Sequence, residues 1–329
     1  MAKHTHQVAF FAGEVLEKTA KNYPNKTALI AREGELTFGE LRDKVKNLAG
    51  HLQNEGIKPG DRVGLLLPNS IAFALCYYAT QRIGAVTVVL DARLRGKELA
   101  GVLRDADLRL LVIHGRLLPE IAETLQEFKQ VPLWVVGAEG ENSFEKRLSA
   151  LPIALDQPQL NAEDDALVLY TSGTTGDPKG VVLNYINLAQ FPPCTAEAWK
   201  INSESVWGCN LPMSHIVGPI LCNETVDKGC TLVVIDQFNP ITLLEAIQSH
   251  RITIFPGVPT LFQLLLGVPR LKDYNTQSLR VVGMMGASVP PPLLRAFKAA
   301  QPHVKVIQGY GLTETSPLIT VVPLEDADE

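Results

Sequence analysis

The sequence predicts an α/β protein built from two mostly parallel sheet-and-helix blocks. Three observations carry that expectation. Short apolar runs rich in Val, Leu and Ile recur along the chain, helical patterns separate them, and no internal repeat interrupts the alternation. With 329 residues the chain is longer than one typical domain and can bury a sizeable core.

The first unit covers residues 27–55. Apolar runs flank the polar turn Arg32-Glu33-Gly34-Glu35, which predicts a hairpin. Thr37 and Glu40 then stand at capping-box spacing, and Leu41, Val45, Leu48 and Leu52 follow at helical intervals. Runs at 63–67, 86–90, 110–113 and 133–136 read as buried strands, with helices at 97–104 and 118–128. Residues 142–164, polar and Pro-containing, read as a loop or linker. The alternation resumes with strands at 231–235, 252–255, 279–284 and 304–307 and helices at 242–249 and 291–300. This organisation groups residues 1–60 with 191–329 and sets 61–190 apart as the second block, the join lying around residues 184–199.

Composition excludes several classes. Hydrophobic residues are 46% and charged residues 20%, and the net charge of -5 contains no basic block, so the footprint of a nucleic-acid binder is absent. Cys76, Cys194, Cys209, Cys222 and Cys230 are scattered without a CxxC pair, which reads as reduced core thiols. The first residues show no secretion signal, and His4 and His6 read as part of a frayed terminus. The most apolar helix candidate, residues 71–80, is too short to span a bilayer. A cytoplasmic protein is expected.

The most informative stretch is residues 167–182. An apolar strand runs into Thr171-Ser172-Gly173-Thr174-Thr175-Gly176, then Asp177-Pro178-Lys179-Gly180 and a second apolar strand. Successive amides of such a loop can curl around an anion, glycines permit close approach, hydroxyls donate, and Lys179 adds a point charge. A Walker A loop fails at Pro178 and Gly180, where it requires Gly and Ser or Thr. Alone, a short segment of this composition also serves as a plain surface turn.

Gln308-Gly309-Tyr310-Gly311-Leu312-Thr313-Glu314 follows a predicted strand, which places it at the edge of an α/β sheet where ligands bind. It offers an aromatic face, flexible backbone, a hydroxyl and a carboxylate; in isolation it is equally a turn with a solvated charge. His215, in residues 211–218, is by itself more simply a satisfied core histidine. Gly286-Ala287-Ser288 precedes Val289-Pro290 and reads as a strand-to-helix turn or as backbone lying against a ligand.

Together these motifs resemble the adenylate-forming (AMP-binding) superfamily, in its acyl-CoA synthetase branch, and specifically the N-terminal domain of a fatty-acid-CoA ligase. The resemblance rests on the run YTSGTTGDPKG at 170–180 and on the segments at 211–218, 286–290 and 308–315. It implies that residues Thr171 to Lys179 grip the β- and γ-phosphates of ATP, that Tyr310 stacks on adenine, that Thr313 contacts the α-phosphate and that Glu314 holds Mg²⁺. It implies further that His215 lies beside the acyl carboxylate and that Gly286, Ala287 and Ser288 border the nucleotide. His215, Thr313 and Glu314 are thus the expected catalytic residues, with ATP, a carboxylic acid and coenzyme A as the small-molecule partners.

No acidic residue stands in 213–218 to pair a substrate ammonium, and Glu224 lies further along, so an amino-acid substrate is disfavoured. The apolar segment 255–266 resembles fatty-acyl and aryl-CoA ligases, with a fatty acid the first expectation and an aryl acid the second. A carrier-protein thiol as acceptor, or a non-catalytic nucleotide-binding module, are the alternatives. A full-length family member continues with a small β-barrel, a ribose-binding Asp, a hinge and a lid domain bearing a Lys. The resemblance therefore implies an N-terminal fragment without the barrel and lid, weakly active or inactive alone.

Overall fold

The computed structural model describes residues 9–151, 153–172, 178–236, 238–316 and 318–327. Helix α1 (Ala12–Asn22) precedes a hairpin of β1 (Thr27–Ala31) and β2 (Gly34–Thr37). Helix α2 (Phe38–Asn54) starts on a full capping box, Glu40 accepting from the Thr37 amide at 2.8 Å while Thr37 Oγ1 accepts from the Glu40 amide at 3.2 Å.

One sheet then forms in sequence. It contains β3 (Arg62–Leu66), β4 (Val86–Val89), β5 (Leu110–His114), β6 (Leu133–Val136), β7 (Asp165–Ser172) and β8 (Pro178–Asn184), in the order β6-β5-β3-β4-β7-β8. All its pairs are parallel except the terminal β7–β8 hairpin. Helices α3 (Ile71–Arg82), α4 (Gly96–Ala106), α5 (Leu118–Leu125) and α6 (Phe144–Ser149) connect the strands, and α7 (Tyr185–Trp199) leads out.

The other sheet collects β9 (Val206–Cys209), β10 (Thr231–Val234), β11 (Ile254–Gly257), β12 (Val281–Met285), β13 (Lys305–Gly311) and β14 (Leu318–Val321) beside the first hairpin. Its order is β14-β13-β12-β11-β9-β10-β1-β2, parallel except for the two edge pairs. Its helices are α8 (Val217–Lys228), α9 (Pro240–His250), α10 (Pro259–Leu266) and α11 (Pro291–Ala300). Among the described residues no strands close into a barrel.

Helix α3 lies between the sheets. Every residue from 72 to 82 is buried, because α1, α2 and α8 all pack on it. Apolar burial supplies most of the driving force there, and several of its polar groups find partners. Tyr78 Oη donates to the Cys222 carbonyl at 2.6 Å, and Gln81 Nε2 donates to the Ala166 carbonyl at 2.6 Å. Arg82, 7% exposed at its side chain, pairs with Glu17 at 3.1 Å. No helix among the described residues is long and apolar enough to cross a membrane.

Several expectations need correction. Helix α1 was not anticipated. The stretch 142–164 is no simple linker: it holds α6 and is sewn to α2, where Asn47 Nδ2 donates to the carbonyls of Arg147, Leu148 and Ala150 at 3.1–3.2 Å. Gln53 and the Asp156 backbone exchange two further bonds, at 2.9 and 3.0 Å. The join at 184–199 is largely a helix, α7, which contains Pro192 and Pro193 and begins on an Asn184–Asn187 capping box. Finally, Gln308 to Gly311 belong to β13 itself, because β14 pairs antiparallel with them and extends the strand.

Candidate active site

Strand direction brings the motifs to the sheet edges. In the β7–β8 hairpin Thr171 lies across from Lys179 and Ser172 across from Pro178, so the two antiparallel strands bring both ends of the motif together. Thr171 is half-buried and Lys179 exposed. Gly173, Thr174, Thr175 and Gly176 lie outside the described residues, as does the side chain of Ser172. Below the loop, Tyr170 Oη donates to Asp105 Oδ2 at 2.6 Å, fixing the strand to α4. Burial, then this bond and the Asp105 charge, pushes the Tyr170 phenol well above its ordinary pKa.

At the end of β12, Gly286 has φ +81°, and a Cβ there would lie 3.3 Å from Val258 Cγ1. Both facts favour glycine. Ala287 and Ser288 follow on the exposed surface. On the neighbouring strand, Gln308 pairs with Met284 and Gly309 with Met285. Gln308 is exposed, Gly309 and Gly311 are half-buried, and Tyr310 presents a ring that is 61% exposed. An aromatic face open to water at a strand's end suits a stacking ligand.

Thr313–Thr315 then forms a 3-10 turn, tied by Leu312 N donating to Thr315 Oγ1 at 3.0 Å. This turn packs against β8. The carboxylate-bearing turn and the strand of Lys179 therefore meet, although they come from different sheets. Glu314 is exposed, Thr313 half-buried.

His215 sits elsewhere on the rim. It lies in two successive turns after β9, with its amide donating to the Pro212 carbonyl at 3.0 Å and its carbonyl accepting from Gly218 at 3.0 Å. A Cβ on Gly218 would overlap the Met213 carbonyl oxygen, so this loop closes only over glycine. The electrostatic neighbours of the imidazole are Asp91 and Arg93 of the opposite sheet, not Glu314. Surrounding protein lowers the His215 pKa by desolvation; Asp91 opposes that and Arg93 adds to it. Asp91 is gripped by Arg93, with Nη2 to Oδ2 at 2.7 Å and the backbone amide to Oδ1 at 2.9 Å. Burial works against ionisation of Asp91, but Arg93's bonds and charge, with His215, hold its pKa below the ordinary value.

Sequence reasoning missed Asn69, Asp91 and Arg93. Each follows a strand of the first sheet, and that position was the available signal, since ligands bind beyond strand C-termini.

An open α/β fold with a phosphate-suited hairpin, an aromatic strand end and an exposed carboxylate has the chemistry that a nucleotide-binding protein needs. The chain belongs to the AMP-binding enzyme family, which it matches over residues 16–329. It is 33% identical over 306 residues to a feruloyl-CoA synthase of Amycolatopsis sp, covering 93% of this chain and 60% of that protein. It is 28% identical over 337 residues to a long-chain-fatty-acid–CoA ligase of Bacillus subtilis, covering 92% of this chain and 60% of that one. The chain thus spans about 60% of the length of these curated relatives. Among solved structures, the long-chain-fatty-acid-CoA ligase FadD1 of Archaeoglobus fulgidus superposes with a TM-score of 0.90 at 28% identity, covering 98% of this chain and 68% of that one. The inhibitor-bound N-terminal domain of FACL13 from Mycobacterium tuberculosis gives 0.85 at 27%, covering 96% and 79%. The expected fold, the N-terminal part of an adenylate-forming enzyme, is the one observed.

Proposed function

We propose that this chain is the ATP- and acid-binding part of an AMP-forming acid–thiol ligase, with residues 1–60 and 191–329 forming one subdomain and 61–190 the other. The observation that carries the reading is the packing of the Thr313–Thr315 turn against β8, which supports a single site made from both segments.

In the reaction, a carboxylate oxygen attacks the α-phosphorus of ATP, the bond to pyrophosphate breaks, and an acyl-adenylate forms. A thiol, that of coenzyme A, then attacks the acyl carbon and releases AMP. No residue need become covalently attached. The hairpin residues Thr171 to Lys179 bind phosphate, Tyr310 and Gly286 to Ser288 border the nucleotide, and Thr313 donates to the α-phosphate. These groups act by positioning and by charge stabilisation. His215, whose pKa is lowered by desolvation, donates a hydrogen bond to the acid without neutralising the attacking oxygen.

Among the described residues no cluster of three His, Cys, Asp or Glu could hold a metal alone. Mg²⁺ needs only one or two carboxylates when phosphate oxygens complete its shell, and the exposed Glu314 fits that requirement. Bound there, the ion would supply charge neutralisation at the phosphates.

The acid is apolar. Position 224 is the nearest acidic residue after the 213–218 segment on α8, yet Glu224 is fully buried with a pKa raised to about 8, so it offers no counter-charge to an ammonium. A fatty acid is the first reading. An aryl acid is the second, favoured by the higher identity to feruloyl-CoA synthase than to the long-chain ligase. The four described cysteines are free and buried, in keeping with a reducing cytoplasm.

Calorimetric titration of the chain with ATP and Mg²⁺ tests the proposal. Saturable binding is expected, weakened about tenfold in Lys179→Ala as one phosphate-pairing cation is lost. Absence of saturable binding overturns it.

A further inference from the structure

Asn69 lies in the loop between β3 and α3, on the sheet opposite to His215. Its side chain uses both donors and its acceptor on the other sheet. Nδ2 donates to the Leu211 carbonyl at 2.8 Å and to the Ile235 carbonyl at 2.9 Å, and Oδ1 accepts from the Met213 amide at 2.6 Å. Leu211 and Met213 flank Pro212, whose carbonyl receives the His215 amide. Met213 is fully buried, and its carbonyl is the group that Gly218 must clear. The loop is therefore fixed at its start by Asn69 and at its end by Gly218, with His215 between them.

We propose that Asn69 is a positioning residue, one that reaches across from the first sheet and holds His215 at the geometry needed to meet the carboxylate of the acid. The assignment of His215 to the acid rests on the function proposed above; the clamp itself rests on the three hydrogen bonds. Asn is suited to the task because only a carboxamide presents two donors and an acceptor in one plane at this reach. Aspartate would set a carboxylate oxygen against two carbonyls, and leucine would satisfy none of the three groups.

The test compares Asn69→Ala and Asn69→Gln with Asn47→Ala. Asn47 also bonds three backbone carbonyls, but those of Arg147, Leu148 and Ala150, remote in sequence from the His215 loop. It therefore controls for a loss of stability alone. The first readout is the titration of His215 by NMR of the histidine-labelled chain, with Asp91 and Arg93, the charged groups facing it, left intact. Freed from the clamp, His215 becomes better hydrated, and its midpoint should rise toward that of an ordinary imidazole. His51 and His114 should not move, and Asn47→Ala should leave His215 unchanged. Asn69→Gln, which keeps the carboxamide one methylene too far out, should fall between wild type and Asn69→Ala.

The second readout is affinity for an acylsulfamoyl-adenosine, expected to drop about tenfold in Asn69→Ala while affinity for AMP stays within twofold. A His215 midpoint equal to wild type in both Asn69 variants overturns the proposal, as does an equal shift in Asn47→Ala. Should the wild-type chain bind neither nucleotide, the function proposed above fails, and the titration still decides the clamp.

Discussion

Tyr77 on α3 donates its phenolic proton to Asn223 Oδ1 on α8 at 3.0 Å, with the tyrosine fully buried and the asparagine 1% exposed. Each residue belongs to a helix attached to a different sheet, so this bond spans the seam of the molecule. Tyr77→Phe leaves the asparagine oxygen buried without its donor. The expected cost is about 1–3 kcal/mol, read as a lower midpoint in chemical denaturation. A single cooperative transition should persist, because α3 remains packed on both sides. Two separated transitions in the variant would show that the bond, not the packing, unites the sheets.

Gly218→Ala should disturb the His215 loop more than its one added methyl suggests. The new Cβ meets the Met213 backbone, not a flexible side chain, so the loop must shift. Acid affinity should fall with little change in ATP affinity, and the chain should still fold. Unchanged affinities for both ligands would contradict a role for this loop in the site.

The charges beside His215 set the direction of its titration. Arg93 lowers the imidazole pKa and Asp91 raises it. NMR titration should therefore give Asp91→Asn a midpoint below wild type and Arg93→Ala one above it. The reverse order would place these groups elsewhere.

Glu224 makes stability depend on pH. Its carboxyl is wholly buried, Thr195 Oγ1 donates to Oε1, and Oε2 has no partner among the described residues. Desolvation, opposed by the Thr195 bond, raises the pKa from 4.5 to about 8. The folded state thus holds a proton that the unfolded state releases. That contribution is complete below pH 4.5, declines as pH rises toward 8, and is lost above it. Glu224→Gln removes the titration. Wild type should lose on the order of a few kcal/mol between pH 5 and 9 relative to this variant. Parallel stability curves would rule the buried carboxyl out as the cause.

Glu314→Gln addresses the chemistry. In an enzyme that contains the whole ligase, acid-dependent pyrophosphate release should drop by roughly two to three orders of magnitude, as for the loss of one strong electrostatic stabiliser. Wild-type release would remove Glu314 from the site.

Much of the fold was legible because its strands are buried on both faces. Runs such as Val86–Val89 and Thr231–Val234 are wholly buried and, Thr87 and Thr231 apart, apolar. Strand β14 was not legible. It is an edge strand with Ile319 53% exposed, and nothing in its pattern reports its pairing with β13. The same pairing extends β13 through Gly309 and Gly311, residues that end an apolar run when read locally. Helix α1 buries Ala12, Gly13, Thr19 and Ala20 along with Leu16, a face of small residues in which Leu16 is the one large apolar side chain. At the site, glycines, hydroxyls, Tyr310 and Glu314 declare themselves through local chemistry. Asn69 does not, since its meaning depends on residues 211, 213 and 235 arriving from another sheet.

The parallel pairing of β1 with β10, in which Leu29 lies across from Leu232, sets a schedule for synthesis. At roughly 5–20 residues per second, the ribosome makes the hairpin of β1 and β2 and then needs on the order of ten to forty seconds to deliver β10. All six strands of the first sheet emerge in that interval. One side of β1 waits throughout as an open edge, the kind of surface on which nascent chains misassociate and chaperones act. A strand of the later-made sheet region thus completes the pairing of β1.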